Sequence, residues 1–220
     1  IFESNLDEFY MVRVSGLIEQ FEGGVSDLSP DGLTAAKQLL LIAQRALQLR
    51  QEAGALWSTE LLPLLESQGI RILKVDALDE GKQEELREYF DREVFPVCTP
   101  LVLHPAPTLP FISNRSLNLA VELADEDGTT RLGRVKVPDV LPRIVPIGNG
   151  SKDFVLLEDV IRLNLDKLFT GVEIRGAHLF RVLRDADIEI RELEAGDLIE
   201  HVEQTLHLRR FGDPVLLQLD

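Results

Sequence analysis

Cysteine is almost absent from this sequence of 220 residues, which contains only Cys98. A single cysteine excludes an internal disulfide framework and a cysteine-rich zinc site, and it agrees with a reducing compartment. Cys98 follows the apolar Val97 and precedes the Thr99-Pro100 turn. In this context we expect a small packed residue, with a nucleophilic thiol as the alternative.

Long hydrophobic runs and a basic leader are also missing. Spanning a bilayer takes about 20 consecutive apolar residues, and no run in the sequence approaches that length. The chain does not open on a basic segment followed by an apolar one. These absences favour a soluble, cytoplasmic protein and leave peripheral membrane association open.

Positive charge is scarce, because 23 lysines and arginines face 38 acidic residues and give a formal net charge of −15. Binding to nucleic acid or another polyanion needs clustered lysine and arginine, so this chain alone is not expected to bind one. Hydrophobic residues make up 45% of the sequence and charged residues 28%, which is typical of a globular protein. One or two domains are expected.

Residues 3–13 combine a helix-start pattern with a cluster of polar groups. Ser4 is expected to cap the helix, Asp7 stands at the reciprocal capping-box position, and Asp7 and Glu8 complement the positive end of the helix dipole. An apolar stripe at spacings of three and four residues continues to a stop at Gly23-Gly24. Its members are Leu6, Phe9, Tyr10, Val14, Leu17 and Phe21.

A second helix is predicted from Ser29-Pro30, where a capping serine precedes proline. Residues 34–49 are dense in good helix formers, and the helix is expected to continue or break near Gly54. Pro63 should kink it or start a separate turn, and Ser67-Gln68-Gly69 should end it. The two helices are expected to pack as a helical hairpin.

After Gly69 the pattern changes to mixed helices and strands, so a domain boundary is placed there. Residues 70–73 are predicted to form a short strand and residues 79–95 an amphipathic helix, whereas the proline-rich residues 96–110 indicate an ordered connector. The further predicted strands are residues 116–124, 131–137, 143–147, 153–157, 177–184 and 214–219, with helices from Leu157 and from Gly196-Asp197. Hairpins mixed with helices favour an α+β fold.

The sequence looks cut at both ends. Ile1 is not a start methionine, and the strand-like run at residues 214–220 has nothing left to pair with. We therefore expect a fragment of a longer protein.

The segment Ser4-Asn5-Leu6-Asp7-Glu8-Phe9-Tyr10, followed by Val12-Arg13, resembles the end of the first conserved helical region of the long, multidomain polyphosphate kinases. The similarity continues through Arg184-Asp185-Ala186-Asp187-Ile188 and Arg209-Arg210-Phe211-Gly212-Asp213-Pro214-Val215. The resemblance implies reversible transfer of the terminal phosphate of ATP onto inorganic polyphosphate. It also implies that residues 1–69 are the C-terminal part of a helical N-terminal domain, and that residues 70–220 are a mixed α+β head, or middle, domain cut before the catalytic domains.

Catalytic residues are not expected within this chain. The resemblance implies Mg²⁺ and a phosphate-carrying histidine, but none of the four histidines matches that histidine's context. They are His104, His178, His201 and His207, and a surface or structural role is expected for each. Gly23-Gly24 is not followed by a phosphate-loop signature, and no histidine–carboxylate spacing indicates a metal site. The chain alone is therefore predicted to be inactive.

Asn5 is the candidate ligand residue. The resemblance implies that the asparagine before Leu-Asp-Glu-Phe contacts ATP, and an amide offers the donor and acceptor that suit an adenine edge. Leu6 would line the apolar side of the base pocket. Composition alone favours Asn5 as a helix-start residue, while Asp7, Glu8 and Arg13 are read as capping or domain-contact residues.

The head domain is expected to serve assembly. The resemblance implies subunit association through it, with the Arg184–Asp187 and Arg209-Arg210 segments among its signatures; arginines at a helix end are the alternative reading of Arg209-Arg210. The expected partners are ATP or ADP with Mg²⁺, inorganic polyphosphate and further copies of the chain. The competing hypotheses are a dimerisation scaffold without ligand contact and an acidic regulatory module without an enzymatic parent.

Overall fold

The computed structural model describes residues 1–103, 111–125, 128–148, 150–186 and 212–219. The chain divides into two compact units. The first unit consists of Ile1–Gly54, Ile112–Arg115 and Arg181–Gln218, and the second of Ala55–Phe111, Ser116–Phe180 and Leu219–Asp220. The boundary between two domains near Gly69 stays a prediction, because a division into compact spatial units does not test it.

The N-terminal helical segment is continuous. It consists of α1 (Phe2–Phe9), a π-helical turn (Tyr10–Val14) and α2 (Ser15–Glu22). The predicted stop is confirmed, because Gly23 follows the helix and Gly24 has a left-handed φ of 67°. The predicted start at Ser4 is wrong: Ser4 lies within α1 and makes no capping hydrogen bond. Asp7 is buried instead of capping, because a tertiary ion pair takes its carboxylate.

The π-helical turn changes which residues of this segment face inward. A π turn takes one residue more than an α turn, so the residues after it are rotated about the helix axis. Tyr10, Met11 and Val14 are buried, whereas Phe9 and Phe21 are 39% and 56% exposed. The predicted apolar stripe is therefore only partly correct, because the α-helical period of 3.6 residues does not hold through the π-helical turn.

The second long helix, α3 (Ala35–Leu56), begins later than the sequence predicted. Thr34 caps it by accepting the Lys37 N–H at 3.3 Å, while Ser29 closes a preceding turn through Leu33. The helix continues through Gly54 and leads into a π-helical turn (Trp57–Leu61) and α4 (Leu62–Ser67), with proline in its first turn. The predicted end is confirmed, because Gly69 has a φ of 74°.

The core of the first unit brings the two predicted helical regions into contact, and their antiparallel arrangement as a hairpin stays a prediction. The buried residues Tyr10, Met11, Val14, Ala46 and Leu183 form one apolar cluster. Because Ala46 belongs to α3, this cluster packs the N-terminal helical segment against it. Leu183 and the half-buried Val215 and Leu216 add strand residues to the same core.

The second unit contains most of the strands and short helices. They are β1 (Arg71–Ile72), a 3₁₀ turn (Val75–Ala77), α5 (Glu80–Tyr89), a π-helical turn (Phe90–Val94), a 3₁₀ turn (Phe95–Val97), β2 (Pro100–Leu103), β3 (Leu117–Ala124), β4 (Thr130–Lys136), β5 (Ile144–Ile147), β6 (Asp153–Leu156), α6 (Leu157–Leu163) and α7 (Leu165–Leu168). Strand β7 (Glu173–Arg184) is shared between the units, and β8 (Pro214–Leu219) follows it. This succession confirms the α+β class.

The strands that the structure describes form two sheets. A three-stranded sheet has the order β1-β6-β5, with β1 parallel and β5 antiparallel to β6. A five-stranded sheet has the order β2-β4-β3-β7-β8. Its β3–β4 hairpin matches the predicted strands at residues 116–124 and 131–137, with Val121 opposite Gly133 and a φ of 84° at Gly128 in the turn.

Two strand predictions need correction. Residues 100–103 of the predicted connector form β2, an edge strand that starts with Pro100, where a missing N–H is tolerated. The run at residues 214–219 was expected to lack a pairing partner, but β8 pairs with β7.

The core of the second unit lies between α5, α6 and the sheets. Phe90, Leu119, Val135, Ile147 and Ile161 are among its fully buried members. The helix predicted from Leu157 is interrupted at Asn164, whose amide donates to the Val160 carbonyl at 2.9 Å. The helix predicted from Gly196-Asp197 lies outside the described residues. Within the part of the chain that the structure describes, no helix is both long and apolar enough to cross a membrane.

Candidate functional site

Three sequence segments that are far apart along the chain meet in the first unit. The Ala186 N–H donates to the Met11 carbonyl at 2.9 Å, which joins the end of β7 to the N-terminal helical segment. The Asp185 N–H donates to the Asp213 carbonyl at 2.9 Å, which joins it to the start of β8. The described parts of the three segments that carry the family resemblance therefore form one continuous structure.

Arg184 is the centre of this junction. Its N–H donates to Asn114 Oδ1 at 3.0 Å, its Nε to the Ile112 carbonyl at 2.8 Å and its Nη1 to the Gly212 carbonyl at 2.9 Å. The Asn114 amide in turn reaches Met11 Sδ at 3.3 Å. Arg184 thus fixes neighbouring backbone segments. Asp187 and Arg209-Arg210, which belong to the same signatures, lie outside the described residues.

Gly212 is required by the same junction. A Cβ atom built on Gly212 would lie 2.2 Å from the Asp185 carbonyl oxygen. Because the obstacle is backbone, no side-chain rotation would relieve it. Glycine at this position lets two chain segments approach each other closely.

Asp7 forms a buried ion pair in the first unit. The residue is only 2% exposed, and Arg181 grips its carboxylate with Nη2–Oδ1 and Nη1–Oδ2 distances of 2.8 and 2.9 Å. Arg181 Nε also donates to Gln218 Oε1 at 2.7 Å. Arg115 Nε lies 3.9 Å from Asp7 Oδ2. Two guanidinium groups therefore surround one buried carboxylate.

Sequence reasoning missed this ion pair, although one signal for it was present. Asp7 lies three and seven residues before Tyr10 and Val14, on the inward side of the helical segment. A carboxylate on a buried face needs a cationic or hydrogen-bonding partner. Arg181 is 174 residues away, and no local pattern indicates that it is the partner.

Asn5 and Leu6, the predicted nucleotide contacts, differ in exposure. Asn5 is exposed, and its N–H donates to the Ile1 carbonyl at 3.0 Å inside α1. The helix-start reading of Asn5 is therefore wrong. Leu6 is half-buried and packs against the core of the first unit. Side chains two positions apart on a helix do not face each other, so Asn5 and the buried Asp7 point in different directions.

Charged pairs in the second unit have structural roles. Arg71 binds Asp153 through two 2.6 Å hydrogen bonds, and the guanidinium holds the pKa of that carboxyl below its usual value. Arg143 binds the buried Glu158 in a similar way. Arg134 is buried against Asn118 and the Phe111 carbonyl, and burial lowers its pKa.

Two of the remaining candidate residues, Cys98 and His178, lie in the part of the chain that the structure describes. Burial raises the pKa of the Cys98 thiol to about 11, so the thiol is protonated at neutral pH, as expected of a packed residue. His178 lies within β7, and the other three histidines are outside the described residues. Among the described residues, no group of three or more His, Cys, Asp or Glu could hold a metal ion.

Comparison with known proteins matches the chain to two consecutive domains of one protein family. The family model described as the polyphosphate kinase N-terminal domain matches residues 1–73, and the model of the middle domain matches residues 81–220. The chain belongs to the polyphosphate kinase family.

Named relatives share the whole length of the chain. It is 43% identical to the polyphosphate kinase of Prosthecochloris aestuarii and 42% identical to that of Mycobacterium ulcerans, with 100% of the chain covered in both. The crystal structure of polyphosphate kinase from Porphyromonas gingivalis matches 94% of the chain with a TM-score of 0.68 and 27% identity. The chain spans 32%, 31% and 32% of these three proteins, about a third of each.

Proposed function

We propose that this chain is the N-terminal and middle part of a longer enzyme that reversibly transfers the terminal phosphate of ATP onto inorganic polyphosphate. The observation that carries this proposal is the match of two consecutive polyphosphate kinase domains, in order, over residues 1–73 and 81–220. The relatives are about three times as long, so there is room outside this chain for the catalytic groups. The net charge of −15 supports the proposal that the polyphosphate itself binds to another part of the enzyme.

Within this enzyme, Asn5 contributes a contact to the adenine of ATP. The side chain is exposed on α1, and its amide has both a donor and an acceptor for a base edge. Leu6 lies next to it and contributes an apolar contact from the part of its side chain that the core leaves uncovered. Asn5 would meet the base and not the phosphates, so the magnesium that accompanies the ATP phosphates belongs to another part of the nucleotide site.

Replacement of Asn5 tests this function in the full-length protein. A neutral hydrogen bond contributes about 0.5–1.5 kcal/mol, so Asn5→Ala should raise KM for ATP roughly 2- to 12-fold. The contact is remote from the transferred phosphate and should affect ground and transition states about equally, so kcat should change little. Steady-state kinetics with ATP, and with ADP in the reverse direction, measure both constants.

The structure supplies the control for that experiment. Asn5 lies inside α1 and makes no cap, and alanine is the better helix former, so Asn5→Ala should not lower the melting temperature. Gln20→Ala removes another exposed amide from the same helical segment and should leave KM unchanged. If Asn5→Ala behaves like Gln20→Ala, Asn5 is not a nucleotide contact, and a scaffold role without ligand contact is the better description.

The middle domain is further proposed to mediate self-association of a cytoplasmic enzyme. The exposed Leu217 and Leu219 on β8 support an association role, because this strand is the last of the described strands at one side of the five-stranded sheet. Sedimentation of the full-length protein over a range of concentrations should show a concentration-dependent oligomer. Leu217→Lys should weaken it, and a monomer at every concentration would contradict an assembly role.

A further inference from the structure

Helix α1 carries both the proposed ligand residue, Asn5, and a buried carboxylate, Asp7. Asp7 lies two positions after Asn5 in α1, and it is 2% exposed. An unpaired carboxylate would be strongly disfavoured at this depth, so its partners decide how α1 can be placed. Among the described residues, its cationic partners are Arg181 and Arg115.

The partners of Asp7 come from separate segments of the chain. Arg181 belongs to β7, and its Nε donates a hydrogen bond to Gln218 Oε1 of β8 at 2.7 Å. The guanidinium is therefore oriented by Gln218 as well as by Asp7. Arg115 approaches the same carboxylate from a third segment and has a left-handed φ of 62°, which is rare for a residue with a side chain. The carboxylate is therefore oriented from several directions.

The form of the Asp7–Arg181 contact restricts rotation of α1. Two parallel N–H···O bonds of 2.8 and 2.9 Å define a plane as well as a distance, which a single lysine contact would not do. A rotation of about 20° about the helix axis would move a side-chain group about 5 Å from the axis by roughly 2 Å. That displacement exceeds what a hydrogen bond tolerates.

We propose that the Asp7–Arg181 ion pair is a positioning device that sets the rotation of α1 and thereby aims the Asn5 amide at the nucleotide. This inference rests on the proposed function, because it requires Asn5 to contact ATP. Arg181 and Asp7 are positioning residues in this scheme. They act through α1 and do not touch the nucleotide.

The test is a set of variants of the full-length protein, each assayed for KM and kcat and titrated with ATP by calorimetry. Arg181→Lys keeps the positive charge and removes the two-bond fork, and it should raise both KM and the Kd for ATP about 2- to 10-fold with little change in kcat. Asp7→Asn, which keeps the shape of the side chain, should act in the same direction and replaces Arg181→Lys if that variant does not fold.

The matched control is Arg71→Lys in the second unit. Arg71 also grips a buried carboxylate through two hydrogen bonds, both of 2.6 Å, and that carboxylate belongs to Asp153, which is 3% exposed. Arg71→Lys should lower thermal stability without changing KM or Kd for ATP. The comparison separates a positioning effect from a loss of stability alone.

The double variant Asn5→Ala/Arg181→Lys decides whether the ion pair acts through Asn5. If it does, the double variant should bind ATP no more weakly than Asn5→Ala alone, because the contact to be aimed is already missing. Multiplied effects in the double variant, or an Arg181→Lys protein that loses only stability, would overturn the inference while leaving the Asn5 contact intact. An Asn5→Ala protein with unchanged affinity would reject the proposed nucleotide contact itself.

Discussion

Replacing Phe90 with alanine is expected to reduce the free energy of unfolding of the second unit by about 3–5 kcal/mol. Phe90 is fully buried, and it contacts Phe95 edge-on with ring centroids 6.0 Å apart. The Lys167 ammonium also lies 5.8 Å from the centre of the Phe90 ring. Truncation removes these contacts together with the apolar transfer energy, and it leaves a cavity in a core that relaxes only partly.

Hydrogen exchange measured by mass spectrometry on the full-length protein would localise this loss. Peptides from α5 and from the β3–β4 hairpin should lose protection, because both contribute buried residues to the core that holds Phe90. Phe95→Ala is the matched control, since Phe95 is the same residue type but is 47% exposed. Its effect should be clearly smaller, and equal losses for the two variants would contradict the assignment of Phe90 to the centre of this core.

Replacing Gly212 with alanine is expected to have the largest effect in the first unit, a loss of about 3 kcal/mol. The added Cβ would lie 2.2 Å from the Asp185 carbonyl oxygen, well inside van der Waals contact. Relief requires movement of backbone that the Asp185–Asp213 hydrogen bond and the Arg184 contact to Gly212 hold together. Peptides from the end of β7 and from β8 should therefore exchange faster.

Gly54→Ala provides the opposite control for that variant. Gly54 lies inside α3, and a Cβ there would meet nothing within 4 Å. Alanine is favoured over glycine in a helix by about 0.8–1.0 kcal/mol, so this change should stabilise the protein. If Gly212→Ala were as harmless as Gly54→Ala, the close approach between the ends of β7 and β8 would not exist in solution.

In the first unit, the proposed nucleotide contact depends on the interactions that hold α1 in place. Asn5 is exposed, but α1, which carries it, is tied to β7 through Asp7 and through the contact between Ala186 and Met11. Variants at the junction, such as Gly212→Ala, are therefore expected to disturb nucleotide binding indirectly, together with a loss of stability. The positioning variants differ from them because their effect on affinity should be separable from stability.

The sequence by itself determined the features that depend on near neighbours. The stop at Gly23-Gly24, the end of α4 at Gly69 and the β3–β4 hairpin with its turn at Gly128 all follow from backbone preferences within a few residues. The order of three similar segments was also enough to identify the family, because agreement at several separated positions does not require knowledge of the fold.

The tertiary structure alone decided which distant groups meet. Capping preferences favoured Ser4 and Asp7 as helix-start residues, but a buried ion pair with a residue 174 positions away took Asp7 into the interior of the first unit. The pairing of β8 with β7 and the place of Gly212 beside Asp185 were likewise invisible in the sequence. Local patterns reflect conformational preference, whereas burial of a charge or close approach of two backbones is settled by partners that only the folded chain brings together.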